Sequence, residues 1–390
     1  MRILVLGGCG IQGRTAVYDL VRSKKVKEVI CADARLDTLD LVKNFSDMAK
    51  VQPVLLNAAD LDNLVGLFSG ADVAIDLLPR QFSPKVCQAA IETGVGVVNT
   101  NYASSIRHLT AQAKKAGVSI MPECGLDPGI DLIIYGEAGR RFDELHVIKS
   151  YCGGFPEKTA CDNPINYKVS WTWEGVLSST NRDSKTIRDR RLVVIPGARQ
   201  HDTEFVHFVD FPGLGQLEAI PNGDAVFYTD LIGVTETIIE TGRYSLRWPG
   251  WSSFWHPLKQ LGFLSEKPVP DLPCEISPHQ FLDKLMGPQL QYKKNEKDLV
   301  AMLNIFEGVS EGKKLRLTWR LLIERDLDTG LMAMSKGVGF PACIVAQMIA
   351  GGEITEKGIL APAVHVPYQP FMDRLAKRGI IVEEEQEILA

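Results

Sequence analysis

No two of the eight cysteines, at positions 9, 31, 87, 124, 152, 161, 274 and 343, stand in a C-x-x-C pair. That argues against a zinc site and against a disulfide framework, and leaves reduced thiols, most of them buried for packing. The seven histidines make no H-x-x-x-H spacing, and neither G-x-S-x-G nor a P-loop occurs, so metal-assisted hydrolysis, esterase chemistry and phosphoryl transfer have no support. No metal is expected. Charge of one sign is also missing: the net charge is −5 over 390 residues, which gives no footprint for nucleic acid. No apolar run approaches the roughly 18 residues of a membrane span, and residues 1–6 lack the pattern of a signal peptide. A cytoplasmic protein acting on a small molecule, without membrane or nucleic-acid partners, is the expectation. Repeats and low-complexity segments are absent too.

What is present is an ordinary globular composition, 45% hydrophobic and 23% charged, in a chain long enough for two domains. From residue 1 to about 125, short apolar runs alternate with helix-length amphipathic segments such as Thr15 to Ser23 and Lys85 to Glu92. The runs are Ile3 to Leu6, Glu28 to Ala32, Pro53 to Leu56, Val73 to Leu78, Val95 to Asn99 and Val118 to Met121. Continuous apolarity suits strands covered on both faces, so the fold class is α/β: a Rossmann-type doubly wound parallel sheet with its ligand crevice beyond the carboxyl ends of the strands. After Gly125-Leu126-Asp127-Pro128-Gly129 the period changes to two, in Leu192 to Ile195, Glu204 to Asp210, Thr235 to Trp248, Leu299 to Glu307 and Lys314 to Ile323, with Glu311-Gly312 as a hairpin turn. A second α+β domain on a mixed or antiparallel sheet follows. The boundaries predicted are 1–128 for the dinucleotide-binding domain, 129–334 for a substrate-binding and dimerisation domain, and 335–390 for a segment packing back on the first. Its helix is read from ACIVAQMIAGG, with Pro341 near the first turn.

Gly8-Cys9-Gly10-Ile11-Gln12-Gly13 has G-x-G-x-x-G spacing between the first strand and the first helix. Gly8 would permit the tight turn, Gly10 the approach of a pyrophosphate, and Gly13 close packing of helix on strand. The bland alternative is a strand-to-helix turn that binds nothing. Asp33, twenty positions after Gly13, would accept the ribose hydroxyls and repel a 2′-phosphate, which favours NAD; Arg35, beside Ala34, suits NADP, so NADP stays open. Asp76-Leu77-Leu78-Pro79 and Asn99-Thr100-Asn101-Tyr102 end the fourth and fifth strands, where the crevice belongs. Tyr102 is either a hydrogen-bonding phenol beside the nicotinamide or a plain loop tyrosine. Of Asp127 and Asp131, one suits the start of a helix and the other a substrate amine.

SYCGG at 150–154, DNPINYKVSW at 162–171 and GLDPGID at 125–131 resemble the saccharopine dehydrogenase family, nearest its glutamate-forming branch. PNGD at 221–224 is similar to the family's PNRD, Arg243-x-x-x-Arg247-Trp248-Pro249-Gly250 to its R-x-x-x-RYPG, and GILAP at 358–362 to its closing G-[IV]-LAP. The lysine 6-dehydrogenase branch shares the layout and is the rival reading. The resemblance implies oxidation of a C–N bond at a lysine-derived carbon: hydride to the nicotinamide, an imine, then hydrolysis to an aldehyde and an amine. It also implies that Asp127 contacts the substrate amine, and that Tyr102 and Cys152, followed by Gly153, lie near the reacting nitrogen. Arg243 and Arg247 offer planar forks for the three carboxylates of saccharopine, unless they are strand-face arginines paired with nearby acids. Without the motif around it, Cys152 would read as packing. Asn163, Tyr167 and Trp171 read as a mixture of substrate contact and wall. Three departures stand out: Gly223 and Ala225 replace an arginine and a hydroxyl, Asp33 replaces the arginine of NADPH-preferring fungal enzymes, and the chain is shorter. WSSFW at 251–255 reads as core or dimer-interface packing, and a homodimer is the expected assembly. A non-catalytic NAD-binding regulator of the same fold is the alternative from another class.

Overall fold

The computed structural model describes residues 1–39 and 47–390. They form two compact units, Met1–Glu137 with Ser335–Ile381, and Ala138–Met334 with Val382–Ala390.

In the first unit the strands are β1 (Arg2–Leu6), β2 (Glu28–Asp33), β3 (Val51–Leu55), β4 (Val73–Asp76), β5 (Gly96–Asn99) and β6 (Ser119–Met121). They pair in parallel in the order β3-β2-β1-β4-β5-β6, and the short strand Gly358–Ile359 extends the sheet beside β6. Each expected run lies within two residues of an observed strand. β1 and β4 are adjacent although two strands separate them in sequence, which is the topological switch point of a doubly wound sheet. Strand and helix side chains such as Leu4, Leu6, Ile30, Leu64, Val86, Val97 and Ile120 share one core. The returning segment is fastened to the first helix, Ile11–Arg22, by a two-pronged ion pair: Arg378 Nε and Nη2 donate to the two oxygens of the buried Asp19 at 2.6 and 2.9 Å.

The second unit is built on β7 (Glu144–Pro156), β8 (Ser184–Arg188), β9 (Arg191–Ile195), β10 (His207–Phe211), β11 (Gly215–Pro221), β12 (Glu240–Arg247), β13 (Asp298–Ser310) and β14 (Lys313–Glu324). The sheet order is β10-β11-β12-β7-β13-β14 and then the strand Glu383–Ile388; β8 joins β12 and forms a hairpin with β9. Only β12 with β7 is parallel among these pairings, so the sheet is mixed. Glu311 and Gly312 have φ of 50° and 73° and turn β13 into β14, as a two-residue hairpin loop with two left-handed residues requires.

Three features depart from the sequence reading. β7 is one strand of 13 residues with little alternation, because most of its length is buried on both faces. The helix around ACIVAQMIAGG spans Ala333–Ala350, so Pro341 is interior to it; the carboxylate of Asp298 accepts the amides of Ala333 and Met334 at 2.8 and 2.9 Å and starts the helix earlier. By length and composition this helix could cross a membrane, but 72% of it is buried, and packing accounts for its apolarity. Residues 383–388 add to the free edge of β14 instead of packing with the segment before them. There the exposed EEEQEI meets opposite charge: Arg316 pairs with Glu387 and Arg320 with Glu383 and Glu385. Such complementarity appears only after the strands are paired. Trp251 and Trp255 are buried with Tyr167, Trp173, Leu264 and Leu282 in a core cluster of this unit.

Candidate functional site

The loop after β1 is shaped by what a side chain would strike. Gly7, not Gly8, makes the left-handed turn, with φ of +76°. A Cβ at Gly8 would come within 2.5 Å of Cys31 Sγ, and one at Gly13 within 2.0 Å of the Gly7 carbonyl oxygen. Gly10 is the N-cap of helix Ile11–Arg22 and makes no side-chain cap. The first-turn amides of Ile11, Gln12 and Gly13 therefore have no intrahelical acceptor and point where the helix dipole favours negative charge. A dinucleotide pyrophosphate fits this cradle. The Cys9 peptide is clamped from both sides, its N–H donating to Asp33 Oδ2 at 2.9 Å and its carbonyl accepting from Thr38 Oγ1 at 2.7 Å. Asp33 Oδ1 also accepts from the Arg35 amide at 3.1 Å, so this carboxylate is fixed beside the loop, with Ala34 and Arg35 exposed. Thr38 escaped the sequence reading because nothing local marks it. Burial, followed by the charge of Asp33, raises the Cys9 thiol pKa, consistent with a packing residue and not a nucleophile.

At the switch point, the Leu77 amide donates to the Leu6 carbonyl at 3.0 Å, and the Leu77 carbonyl lies against Gly7. Asp76 is wholly buried; it accepts the Leu78 amide at 3.0 Å, and burial pushes its carboxyl up to about 7. Its work is to turn the chain through Leu77 and Leu78 toward the exposed Pro79, which keeps those backbones beside the loop. Asn101 Nδ2 donates to the Leu78 carbonyl and to Ser83 Oγ, clasping the ends of β4 and β5 together. Tyr102 follows, half-buried, before the turn Ala103–Ser105. In the turn after β6, Asp131 reaches back to accept the Gly129 amide at 2.8 Å at the start of helix Ile130–Arg141, and burial raises its carboxyl to about 7. Asp131 is therefore the helix-starting carboxylate, and Asp127 stands half-buried at the tip of the same turn.

In the second unit, strand register collects the other candidates on one face of the sheet. Arg243 on β12 stands opposite Ser150 on β7, which stands opposite Asn304 on β13. Two residues along, Ser245, Cys152 and Met302 form the next row, and Arg247 is two further on the same side of β12. Cys152 is thus set between the levels of the two arginines, while Gly153 points to the opposite face. Arg243 is buried, with its guanidinium 4.5 Å from the Tyr228 ring. Arg247 is 7% exposed; it donates to its neighbour's carbonyl, Leu246, at 2.7 Å and stacks 5.2 Å and 5.1 Å from the rings of Tyr167 and Trp251. No carboxylate among the described residues forms an ion pair with it. The acid opposite Arg247 in the sheet, Glu218, accepts the Gly250 and Ser252 amides at 2.8 and 2.7 Å and so starts helix Trp251–Gln260. A strand-face ion pair is thereby ruled out for Arg247, and burial lowers its pKa more than the neighbouring Tyr167, Cys152 and Glu218 raise it.

DNPINYK is a brace. Asn163 Oδ1 accepts the amides of Ile165 and Tyr167 and its Nδ2 donates to the Tyr167 carbonyl, while Lys168, 2% exposed, pairs with Asp162 at 3.0 Å and Glu296 at 2.8 Å. Trp171 packs against the aromatic cluster. Gly223 has φ of +73° with open space around a would-be Cβ, and Asp224 caps helix Ala225–Leu231 through the Phe227 amide.

Residues 3–121 match the model of the saccharopine dehydrogenase NADP binding domain, and residues 125–380 that of the saccharopine dehydrogenase C-terminal domain. The chain is 29% identical to saccharopine dehydrogenase (NADP(+), L-glutamate-forming) of Schizosaccharomyces pombe, over 98% of each. It is 27% identical to the mitochondrial alpha-aminoadipic semialdehyde synthase of Mus musculus, over 99% of this chain and 48% of that one, so it spans about half the length of the mammalian relatives it matches. In structure it is similar to apo saccharopine dehydrogenase (L-Glu forming) from Saccharomyces cerevisiae, with a TM-score of 0.84, 24% identity and 99% of each chain covered. Homospermidine synthase from Legionella pneumophila, in complex with NAD, is similar at a TM-score of 0.64 and 12% identity, over 99% of this chain and 91% of that one. These two likenesses establish the fold: a parallel α/β sheet and a second unit on a mixed sheet.

Proposed function

Because the chain belongs to the saccharopine dehydrogenase family, we propose that it is an NAD(P)-dependent oxidoreductase acting on the CH–NH bond of saccharopine, giving 2-aminoadipate semialdehyde and glutamate. The observation that carries the reading is Arg247: a buried guanidinium with no carboxylate paired to it among the described residues, on the same sheet face as Arg243 and Cys152. A substrate with several carboxylates completes such a group.

The bound dinucleotide supplies the hydride acceptor. The amides of Ile11, Gln12 and Gly13, with Gly8 and Gly10 keeping the loop bare, would hold its pyrophosphate, beside the backbones of Leu77 and Leu78. Arg243 and Arg247 bind and orient the substrate carboxylates. Losing a hydride from the carbon turns the C–N bond into C=N and leaves a proton to be removed at nitrogen, and addition of water with release of the amine needs a second proton to move. Cys152, Asp127 and Tyr102 are the side chains we assign to holding and moving them, with Asp127 at the substrate amine. Saccharopine and L-lysine assayed side by side with NAD and NADP test this directly. Turnover of saccharopine alone is the expected result; turnover of lysine alone would move the chain to the lysine 6-dehydrogenase reading. Binding of NADH with no absorbance change for any amine would make it a non-catalytic regulator.

For the cofactor, the fungal relative's name carries NADP(+), while Asp33 argues for NAD here: its carboxylate is fixed at the end of β2, where it repels a 2′-phosphate. Asp33→Ser should move the NAD-to-NADP ratio of kcat/KM toward NADP by about tenfold or more, as loss of one charge-assisted bond and one repulsion implies. An unchanged ratio would leave Asp33 without that role. We also take a cytoplasmic homodimer as the working form; light scattering at the mass of a single 43.1 kDa chain would overturn the dimer.

A further inference from the structure

We propose that Asn304 and Ser150, standing in line with Arg243, recognise an α-amino-acid head group, the one at the lysine end of the substrate; the proposal rests on the saccharopine reading above. Asn304 is 0% exposed and Ser150 1%. Among the described residues, neither the Asn304 amide nitrogen and oxygen nor the Ser150 hydroxyl has a hydrogen-bond partner. They stand directly opposite each other on β13 and β7, and Ser150 stands opposite Arg243 on β12. Along its own face of β13, Asn304 interrupts an apolar, buried file of Val300, Met302 and Phe306, and its neighbour on β14 is the buried Trp319. A fold that needed only packing there would be more stable with a hydrocarbon, because an unpaired buried amide carries its desolvation cost uncompensated.

The chemistry of the row selects its occupant. Arg243 supplies donors only, the serine hydroxyl can donate or accept, and the asparagine amide offers two donors and one acceptor. A carboxylate satisfies the guanidinium, the hydroxyl and the amide N–H groups, but leaves the Asn304 carbonyl unmet. An ammonium beside that carboxylate completes it, and the two together are an α-amino-acid head group. The rows also set a length. Residues two apart on a strand are about 6.6 Å apart, so the Cys152 row lies about that far from the Arg243 row on one side and from the level of Arg247 on the other. A saccharopine nitrogen at the level of Cys152 can send its four-methylene arm to the Arg243 row and its glutamate arm to Arg247.

Two substrates and two variants of the full chain test this. Saccharopine is compared with N-pentyl-L-glutamate, which keeps the secondary amine and the glutamate half and lacks the head group. Asn304→Leu should raise the KM for saccharopine by about 10- to 100-fold, the range for lost hydrogen bonds to a charged group, and change kcat/KM for the pentyl analogue by less than about threefold. Ser150→Ala should show the same pattern at about fivefold. NADH affinity should be unchanged and the melting temperature of Asn304→Leu equal or higher, which a purely structural amide would not produce. Equal losses on both substrates, or an unchanged saccharopine KM in a folded variant, would overturn the assignment; Ser150→Ala decides if the leucine variant does not fold. Calorimetric titration with L-lysine needs no turnover and separates the two readings. If the wild type does not turn over saccharopine but binds lysine, and Asn304→Leu weakens that binding at least tenfold, only the substrate reading fails. Lysine binding that is absent, or equal in the two proteins, sinks the head-group row itself.

Discussion

The two units prepare for charged ligands in opposite ways. The first presents backbone: Gly8, Gly10 and Gly13 clear space so that the amides of one helix turn meet an anion, and the Asp33 carboxylate beside the loop is tied to it. The second presents side chains: Arg243, Arg247, Ser150 and Asn304 reach one face of a sheet from three strands. Each unit also buries titratable groups, Asp76 and Asp131 among those of the first and His201 among those of the second. The contrast teaches that a backbone site tolerates no added volume, whereas a side-chain site tolerates substitution and loses specificity.

Gly13→Val breaks that comparison at its strongest point. A Cβ there meets the Gly7 carbonyl at 2.0 Å, an atom that cannot move without the loop. NADH titration should show affinity reduced by more than about 100-fold, or about 2.7 kcal/mol; near-normal affinity would mean that the loop is not the dinucleotide site. Arg247→Met should come next. Loss of a desolvated cation from its anion costs about 2–5 kcal/mol in binding, so saccharopine KM should rise at least 30-fold. No carboxylate among the described residues loses its mate, so the melting temperature should not fall, and a marked fall would show that the guanidinium is structural.

The buried Asp76 and His201, shifted in opposite directions, predict opposite responses to acid. Burial raises the Asp76 carboxyl from its ordinary 3.8 to about 7, so the folded first unit holds its proton more tightly; that contribution is full below about 3.8 and is lost as pH rises toward 7. His201 is shifted by burial from 6.5 to about 2, so its contribution is full above 6.5 and is lost as pH falls below that. Between pH 6.5 and 5, acidification should therefore strengthen the Asp76 contribution and weaken the His201 contribution, each by up to about 1.4 kcal/mol per pH unit. Asp76→Asn and His201→Leu should each change their own unit's slope, in opposite directions, in hydrogen exchange followed peptide by peptide. The same slopes in the variants as in the wild type would refute it. The smallest effect expected is at Glu383–Ile388. Its side chains are exposed and its ion pairs with Arg316 and Arg320 are worth about 0–1 kcal/mol each, so 1 M salt should speed exchange of its amides with little change in global melting.

How much was legible follows the same division. The runs that became β1 to β6 could be read because strands buried on both faces are short apolar words between amphipathic helices. Even there the turn glycine is Gly7, one residue before the motif, since φ depends on where β1 stops. β7 could not be read, because SYCGG looks like a loop until β12 and β13 flank it and exclude a Cβ at Gly153, 2.2 Å from the Leu246 carbonyl. The start of helix Ala333–Ala350 depends on Asp298, 35 residues earlier, and the place of EEEQEI depends on the arginines of β14.

By itself, then, the sequence determined the dinucleotide loop, the acid at the end of β2 and the motifs that mark the family, because each is a strand, turn and helix whose hydrogen bonds close within a few dozen residues. Only the tertiary structure decided that Glu218 serves a helix start and leaves Arg247 without an acid, and that Asn304 stands beside Ser150 and Arg243. The physical reason is reach: backbone donors are satisfied along the chain, while side chains on a sheet are satisfied across it, by strands whose partners the folded register alone assigns.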